Sequence, residues 1–467
     1  MARIAVIGGA GYVGLTYAAA LAELGHDVVG LDVDATKVEA LRDGRSPIFE
    51  PGLDVLLQRG LAEGRLRFTT EYAAAVPSAD FAFICVGTPS DADGRADMQY
   101  VATAARQIGA HGCGHTIVVN KSTLPVGSAH FVGEILTEHA HAGATFTVVS
   151  NPEFLREGSA LHDVFHPDRI VLGASDEADA RRVAALYGPL GAEILVTDPR
   201  SAEMIKYASN AFLASKISFI NEVALICERF GADVSVVADG MGLDERIGRR
   251  FLNAGAGFGG SCFPKDVKAL ASMARDAGLE PTMLAAVLGT NDAMRSHVVA
   301  RVEERLGCLA GKTIAVLGLA FKPDTDDIRE APALAVLRKL VAAGARVQAT
   351  DPVAMPHVAG QVPEVSLMAD AYAAATGADA VILMTEWAEY RTMDLDHLAN
   401  AMRGRLLVDA RNALAPSAAL EAGFDYVGIG RVGGTATPPL VKDVLVKDVL
   451  IEAPSMANAP VAVMAAD

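Results

Sequence analysis

Three groups of residues have types and spacings suited to chemistry. In FGGSCFPKD, residues 258–266, Cys262 stands alone between a glycine-rich turn and a Pro-Lys-Asp that reads as a helix start. A free thiol titrates at about 8.5, and a helix N-terminus or a cation such as Lys265 raises the thiolate fraction at neutral pH. A free cysteine serves equally well as a small buried residue, but Gly259, Gly260 and Ser261 favour a loop lying close to a ligand. Lys206 and Asn210 are four residues apart in a run without Gly or Pro, so both project from one face of a helix. That face is largely apolar, and a lysine buried there needs a partner. Burial lowers its pKa and suits it to work as acid, base or oxyanion donor. In NPEFLREGSA, Glu153 and Glu157 share the same spacing, and on spacing alone they read first as a solvated helix face.

Chemistry of this kind needs elements to hold it. IAVIG at 4–8 has the β-branched run of a buried parallel strand, GLTYAAALAELG is a helix ending at Gly25, and HDVVGLD is a second strand. Between the first strand and the helix lies GAGYVG. Here Gly9 is expected to permit the tight turn, Gly11 to let the backbone approach a pyrophosphate, and Gly14 to allow close helix packing, with Tyr12 and Val13 opening the helix. Asp32 follows Gly14 by eighteen residues, where a carboxylate accepts hydrogen bonds from adenosine ribose hydroxyls and repels a 2'-phosphate. NAD is therefore expected rather than NADP.

The same programme recurs downstream. IAVLG at 314–318 precedes a loop and a helix, AAGARVQATD ends a second strand at Asp351, and ADAVILMTEW parallels ADFAFICVGTP. The second loop, GLAFKPDTDD, carries Phe321 and Lys322 where close backbone approach would want glycine. It should not hold a second dinucleotide in the same pose; Lys322, with Arg329 beyond it, suits a differently placed phosphate or sugar hydroxyl. From about Ser201 to Gly231 the chain reads as one long buried helix linking the two modules, and also as a subunit contact. The expected fold is α/β: two doubly wound Rossmann-like domains joined by a long central helix and a helical dimerisation region. The expected limits are 1–200, 201–296 with the cysteine loop, and 297–432. Residues 433–467, Ala/Pro-rich with a duplicated VKDVL, are expected to be mobile.

Composition narrows the partners. A net charge of −17 disfavours nucleic acid and anionic membranes, because counterion release needs clustered Lys and Arg. Five widely spaced cysteines without a CxxC argue against a disulfide framework or zinc ribbon and fit a reducing cytoplasm. The uncharged stretch 4–22 resembles a membrane span only until its glycines are placed at a turn and a helix start. HGCGH at 111–115 and HDVFHPD at 162–168 lack the ligands or the helix to hold a metal, and none is expected.

Together, SPIFEPGL, KSTLPVG, NPEFLREGSA, KYASNAFLASKISFINE, RIGRRFLNAGAGFGGSCFPKDVKAL and GLAFKPDTDDIRE make residues 3–432 similar to the UDP-glucose dehydrogenase family, within the wider UDP-glucose/GDP-mannose dehydrogenases. The resemblance implies oxidation of the C6 alcohol of UDP-glucose to a carboxylate with two NAD in turn, through aldehyde, thiohemiacetal and thioester, with Cys262 as the nucleophile. It implies that Lys206 and Asn210 stabilise the oxyanion, that Asp266 acts with Lys206 and a water as base, and that Glu153 activates the hydrolytic water, which Thr123 positions. It places Lys37, Thr88, Thr123, Glu157, Lys265 and Arg329 on the cofactor. Glu153, Phe154, Leu155, Phe251, Asn253, Phe258, Gly259, Phe321, Lys322 and Arg411 fall on the nucleotide sugar. Arg246 is placed on the substrate of a partner subunit in a homodimer. The alternatives are GDP-mannose 6-dehydrogenase or UDP-N-acetylmannosamine dehydrogenase, with the same chemistry, and a non-catalytic NAD-sensing scaffold, which the intact Cys262, Lys206 and Asp266 set disfavours.

Overall fold

The computed structural model describes residues 1–431, so the tail expected to be mobile lies outside the described residues. Strands β1 (Arg3–Ile7), β2 (Asp27–Leu31), β3 (Leu66–Thr69), β4 (Phe81–Ile84), β5 (His115–Asn120), β6 (Thr145–Ser150), β7 (Ile170–Ala174) and β8 (Ile194–Thr197) form one sheet in the order β3-β2-β1-β4-β5-β6-β7-β8. Pairing is parallel from β3 to β6, the doubly wound order, and turns antiparallel only between β6 and β7. Strands β9 (Thr313–Leu317), β10 (Arg346–Thr350), β11 (Ser366–Leu367), β12 (Ala380–Leu383), β13 (Leu406–Asp409) and β14 (Asp425–Gly428) form a second, wholly parallel sheet in the order β11-β10-β9-β12-β13-β14. Strands such as β4 and β12 are buried along their whole length, as helices on both faces require.

The turn after β1 departs from expectation. Gly8, not Gly9, carries the left-handed backbone, at φ 80°, and a Cβ there would lie 2.7 Å from the Cys85 carbonyl oxygen. Gly9 is needed instead for close approach, since its Cβ would meet the Gly30 backbone at 2.8 Å. Both N–H groups donate to the Leu31 carbonyl. Gly318 repeats the Gly8 role after β9, with φ 94° and Thr385 in the way of any Cβ. Gly8 and Gly318 are thus the turn residues of the first and second modules.

The matching aspartates differ in what they have left to offer. Asp351 is buried and accepts from the backbone N–H of Leu319, Ala320, Val353 and Ala354 and from the Trp387 indole. Asp32 is half-buried and accepts only from Ala10 and Asp34, which leaves lone pairs for a ligand.

Between the sheets runs the helix Pro199–Phe230, opened by Asp198, whose side chain accepts from Ser201 N–H, and closed by Gly231 at φ 72°. By length and composition it would pass for a membrane span. One face buries Glu203, Lys206, Tyr207 and Asn210. The opposite face corrects the expectation of a wholly buried helix: Phe212 is 67% exposed and Phe230 74%, with Phe219 and Ile226 between them half exposed.

The two aspartates should respond differently to removal. Asp351→Ala should destabilise the protein by about 3 kcal/mol or more, because its donors stay buried without an acceptor. Asp32→Ala should change stability by less than about 1 kcal/mol and weaken NAD binding instead. Urea unfolding and NAD titration of the two variants test the contrast.

Candidate active site

The segment after β6 is irregular rather than helical, so Glu153 and Glu157 do not share a helix face. Glu153 is buried, and Lys206 from the long helix donates to its Oε1 at 2.9 Å. The Leu155 N–H donates to Oε2 at 2.6 Å. Burial alone would raise the Glu153 pKa, but Lys206 outweighs it and holds the carboxyl below its ordinary range. Burial likewise works against the Lys206 charge, and Glu153, with Cys262 and Asp266, outweighs it and raises the ammonium pKa. The Phe154 ring lies between two cations, with Lys206 Nζ 5.3 Å and the Arg169 guanidinium 3.9 Å from its centroid.

One turn further along the same helix, Asn210 Nδ2 donates to Asp266 Oδ2 at 2.6 Å, and Lys265 Nζ donates to Oδ1 at 2.5 Å. Lys206 is thus hydrogen-bonded to Glu153, while Asp266 is engaged by Asn210 and Lys265. Cys262 occupies the cap position of the helix Phe263–Asp276, and its carbonyl accepts from Asp266 N–H at 3.0 Å. Burial pushes the thiol up to about 11, with Glu153 adding to the rise, and outweighs Lys206 and Lys265. The expectation that the helix start and Lys265 would favour thiolate therefore loses to desolvation. On its other side, Ser261 Oγ lies 3.6 Å from Sγ and donates to Glu157 Oε1 at 2.9 Å.

The glycine loop before Cys262 threads between the helix Thr282–Leu306 and the second sheet. A Cβ on Gly255 would meet the Ala410 carbonyl oxygen at 2.6 Å, and one on Gly259 the Glu330 carbonyl oxygen at 2.5 Å. Asn291 holds Phe258 by both its N–H and its carbonyl. Phe251 and Phe258 both pack on Phe263. Arg411 donates to the carbonyls of Met384, Gly257 and Phe321, bracing the loop against the second module. Lys322 lies 5.5 Å from the Phe321 ring centroid, and its pKa is lowered by burial against the pull of Glu157 and Cys262. Arg329 bonds Asp327 and Glu157. Thr88 Oγ1 donates to the Thr123 carbonyl at 3.1 Å, joining the loops that follow β4 and β5. Three expected residues stand apart in the single chain. Lys37 is exposed beside Asp34, Asn253 is exposed and bonded to Arg249, and the Arg246 side chain is 89% exposed and paired with Asp244.

The cradle after β1 suits a dinucleotide. A Cβ on Gly14 would run into Gly8 O, while Gly11 opens the helix with no side chain on its N–H groups. A helix start without a side-chain cap suits a pyrophosphate, and the lone pairs Asp32 has left suit ribose hydroxyls.

Several structural partners escaped sequence reasoning. Buried Glu50 accepts from Tyr12 OH and from the N–H of Gly158 and Ala160, tying the dinucleotide loop to the Glu157 segment. Buried Lys121 donates to Asn151 and lies 4.0 Å from the Tyr17 ring centroid, with its pKa pulled by burial to about 7. Glu203 accepts from Gly127 N–H, Ala129 N–H and Ser150 Oγ. Glu50 and Lys121 stand in SPIFEPGL and KSTLPVG, which carry the family resemblance but not these partners, and the signal of Glu203 was a charge within a largely apolar run.

Two doubly wound units meeting at a thiol, a lysine and carboxylates, the first with a dinucleotide cradle, define an NAD-dependent dehydrogenase. Residues 2–191 match the NAD binding domain of the UDP-glucose/GDP-mannose dehydrogenase family, residues 200–293 its central domain and residues 315–416 its UDP binding domain, and the chain belongs to that family. It is 47% identical over 430 residues to UDP-glucose 6-dehydrogenase YwqF of Bacillus subtilis, covering 92% of this chain and 98% of that one. It is 48% identical over 434 residues to the UDP-glucose 6-dehydrogenase of Rhizobium meliloti, covering 91% and 98%. The UDP-glucose dehydrogenase structure of Pyrobaculum islandicum superposes with TM-score 0.86 at 46% identity, over 92% of this chain and 98% of that one. A UDP-D-ManNAc dehydrogenase of Pyrococcus horikoshii superposes with TM-score 0.83 at 28% identity, over 92% and 99%.

The Lys206–Glu153 pair has a pH signature. The carboxylate, with its lowered pKa, adds stability above its unfolded value of about 4.3 and loses it as pH falls through the folded value. The ammonium, with its raised pKa, adds stability below about 10.4 and loses it as pH rises through the folded value. The stability difference between the parent and Glu153→Gln should therefore be a plateau from about pH 5 to 10 that shrinks at both ends. Urea unfolding across pH measures it, and a pH-independent difference would contradict an ionised pair.

Proposed function

We propose that this chain oxidises UDP-glucose at C6 to UDP-glucuronate, in two successive two-electron steps through a covalent intermediate on Cys262. The observation that carries the reading is the convergence of Cys262, Lys206, Glu153, Asn210 and Asp266 on one site. The choice of sugar is supported by the relatives: those named for UDP-glucose are 46–48% identical, against 28% for the UDP-D-ManNAc enzyme.

NAD, when bound at the first module, supplies the acceptor for a hydride from the C6 alcohol and, in a second molecule, for one from the thiohemiacetal. Tyr12, Val13 and the loop glycines hold its pyrophosphate and Asp32 its ribose; Lys37, Thr88, Thr123, Glu157, Lys265 and Arg329 complete that side. Asp266, fixed by Asn210 and Lys265, draws the alcohol proton through water, and Lys206 and Asn210 carry the developing oxyanion. Cys262 then adds to the aldehyde carbon, which otherwise bears no alkoxide to expel a hydride. Glu153 and Thr123 set the water that releases the acid.

Residues 297–432, with Phe321, Lys322, Arg411 and the 253–259 loop, take the nucleotide sugar. Residues 1–200 take the cofactor, and 201–296 join the two. The exposed Phe212, Phe219, Ile226 and Phe230 stripe supports a homodimer along the long helix, in which Arg246 leaves Asp244 for the partner's substrate. The free cysteines support a reducing, cytoplasmic setting.

Parent protein should yield two NADH per UDP-glucose with no free aldehyde. Cys262→Ala should lose acid formation by orders of magnitude, on the order of a hundredfold or more, while still reducing supplied C6 aldehyde with NADH. Near-parental acid production by folded Cys262→Ala would refute the covalent route. Mixing Arg246→Ala with Cys262→Ala protein should restore activity, because an exchanged dimer places an intact arm beside an intact thiol. No recovery after demonstrated exchange would place Arg246 outside the partner's site.

A further inference from the structure

If Cys262 attacks an aldehyde, something must take its proton, and the residues already assigned are occupied. Lys206 is a charged donor to Glu153, and Asp266 has Asn210 and Lys265 on its oxygens. Among the described residues, the side chain within hydrogen-bond reach of Sγ is Ser261, whose Oγ lies 3.6 Å from it and donates at 2.9 Å to Glu157 Oε1. Glu157 reaches this point from the segment after β6, across the site from the thiol's own helix. Its Oε2 is buried and, among the described residues, accepts no hydrogen bond, and the Asp327 carboxylate stands ready to accept one from Glu157 once it is protonated. We propose that Ser261 relays the proton of Cys262 to Glu157, so that Glu157 serves as the base that prepares the thiol.

This rests on the reading of Cys262 as the second-step nucleophile and adds to it the route of the proton. The S–H bond breaks as an O–H bond forms on Ser261, and the serine's own proton passes to the Glu157 carboxylate. No electrons are transferred, and the result is a thiolate beside a neutral carboxyl. When water later cleaves the thioester, the chain runs backwards and returns the proton to the departing sulfur.

The surroundings fit a base that works near neutrality. Burial first, and then the charge of Asp327, push the Glu157 carboxyl up to about 7, against Arg329 and the Ser261 hydrogen bond. Lys322 faces both Glu157 and Cys262. Around the thiol, Glu153 and Asp266 oppose ionisation while Lys206 and Lys265 favour it. Moving the thiol's proton onto a carboxylate, so that the negative charge passes from oxygen to sulfur, leaves the net charge of this enclosed cluster unchanged, which is the least costly way to ionise a buried group.

The test reads the thiol directly, in the full chain without turnover. Iodoacetamide alkylation is followed across pH by peptide mass spectrometry, because Cys113 and Cys308 are exposed and also react. Ser261→Ala should move the alkylation midpoint of Cys262 to higher pH and slow the reaction at pH 7 about tenfold or more, whereas Ser261→Thr, which keeps the hydroxyl, should retain the parental profile. Glu157→Gln should remove the part of the alkylation rise that follows the Glu157 carboxyl near pH 7 and leave a single rise at the thiol's own higher midpoint, and the double variant should behave like Glu157→Gln. Parental profiles in both Ser261→Ala and Glu157→Gln would overturn the relay; if Ser261→Ala fails to fold, Glu157→Gln alone decides it. Acid formation by Cys262→Ala would instead refute the underlying covalent reading, and the alkylation profile is independent of that result.

Discussion

The buried pair of Lys206 and Glu153 is the constraint on which the rest of the site depends. Neither charge is tolerable alone, because a buried ion without its partner costs several kcal/mol. Glu153 belongs to the loop leaving β6 and Lys206 to the helix between the modules, so satisfying both charges fixes loop to helix. The same helix repeats the device on either side. Glu203, about one turn earlier, receives the N–H groups of Gly127 and Ala129 and the hydroxyl of Ser150, while Asn210, one turn later, holds Asp266 on the cysteine helix. One polar stripe on one helix thus places the first sheet, the lysine and the thiol in a single frame.

The two modules share a turn, a strand order and an aspartate, yet only one keeps the aspartate available. In the second, Trp387 and four backbone donors use up Asp351. The loop there carries Phe321, whose ring lies where a Cβ on Gly260 would be, at 2.7 Å. A dinucleotide cradle has become a surface against which the glycine loop is laid, and Arg411 ties the two by their carbonyls. The glycines of residues 255–260 are demanded by that packing as much as by any ligand.

Charge is arranged against the average. The chain is strongly acidic, but Lys206, Lys265, Lys322 and Arg329 all act on the surroundings of Cys262. Lys206, Lys265 and Arg329 are matched there by Glu153, Asp266 and Asp327 with Glu157, so the cluster offers local cations to an anionic ligand without a large net charge. Desolvation nonetheless dominates at the thiol, so this cluster does not ionise it in the resting chain.

Much of this was legible in order along the chain. Local periodicity and glycine placement specify strands, turns and helices through short-range sterics, and they correctly implied two doubly wound units and a linking helix. The family motifs named the thiol, the lysine and the carboxylates. What local pattern cannot express is which partner a buried group takes across the fold. Glu153 and Glu157 looked like a solvated helix face because their spacing allowed it; burial and pairing are decided by what packs over them, Lys206 in one case and Ser261 with Arg329 in the other. Gly8 took the turn that spacing gave to Gly9, because the Cys85 carbonyl just after β4 stands where a Cβ would go. Glu203 carried no motif, and Glu50 stood in SPIFEPGL without any sign of its partner, since both receive N–H groups presented by distant segments. The sequence by itself determined the elements and the chemical groups they carry; only the tertiary structure decided the pairing of charges, because desolvation and hydrogen bonding depend on neighbours that meet in space and not along the chain.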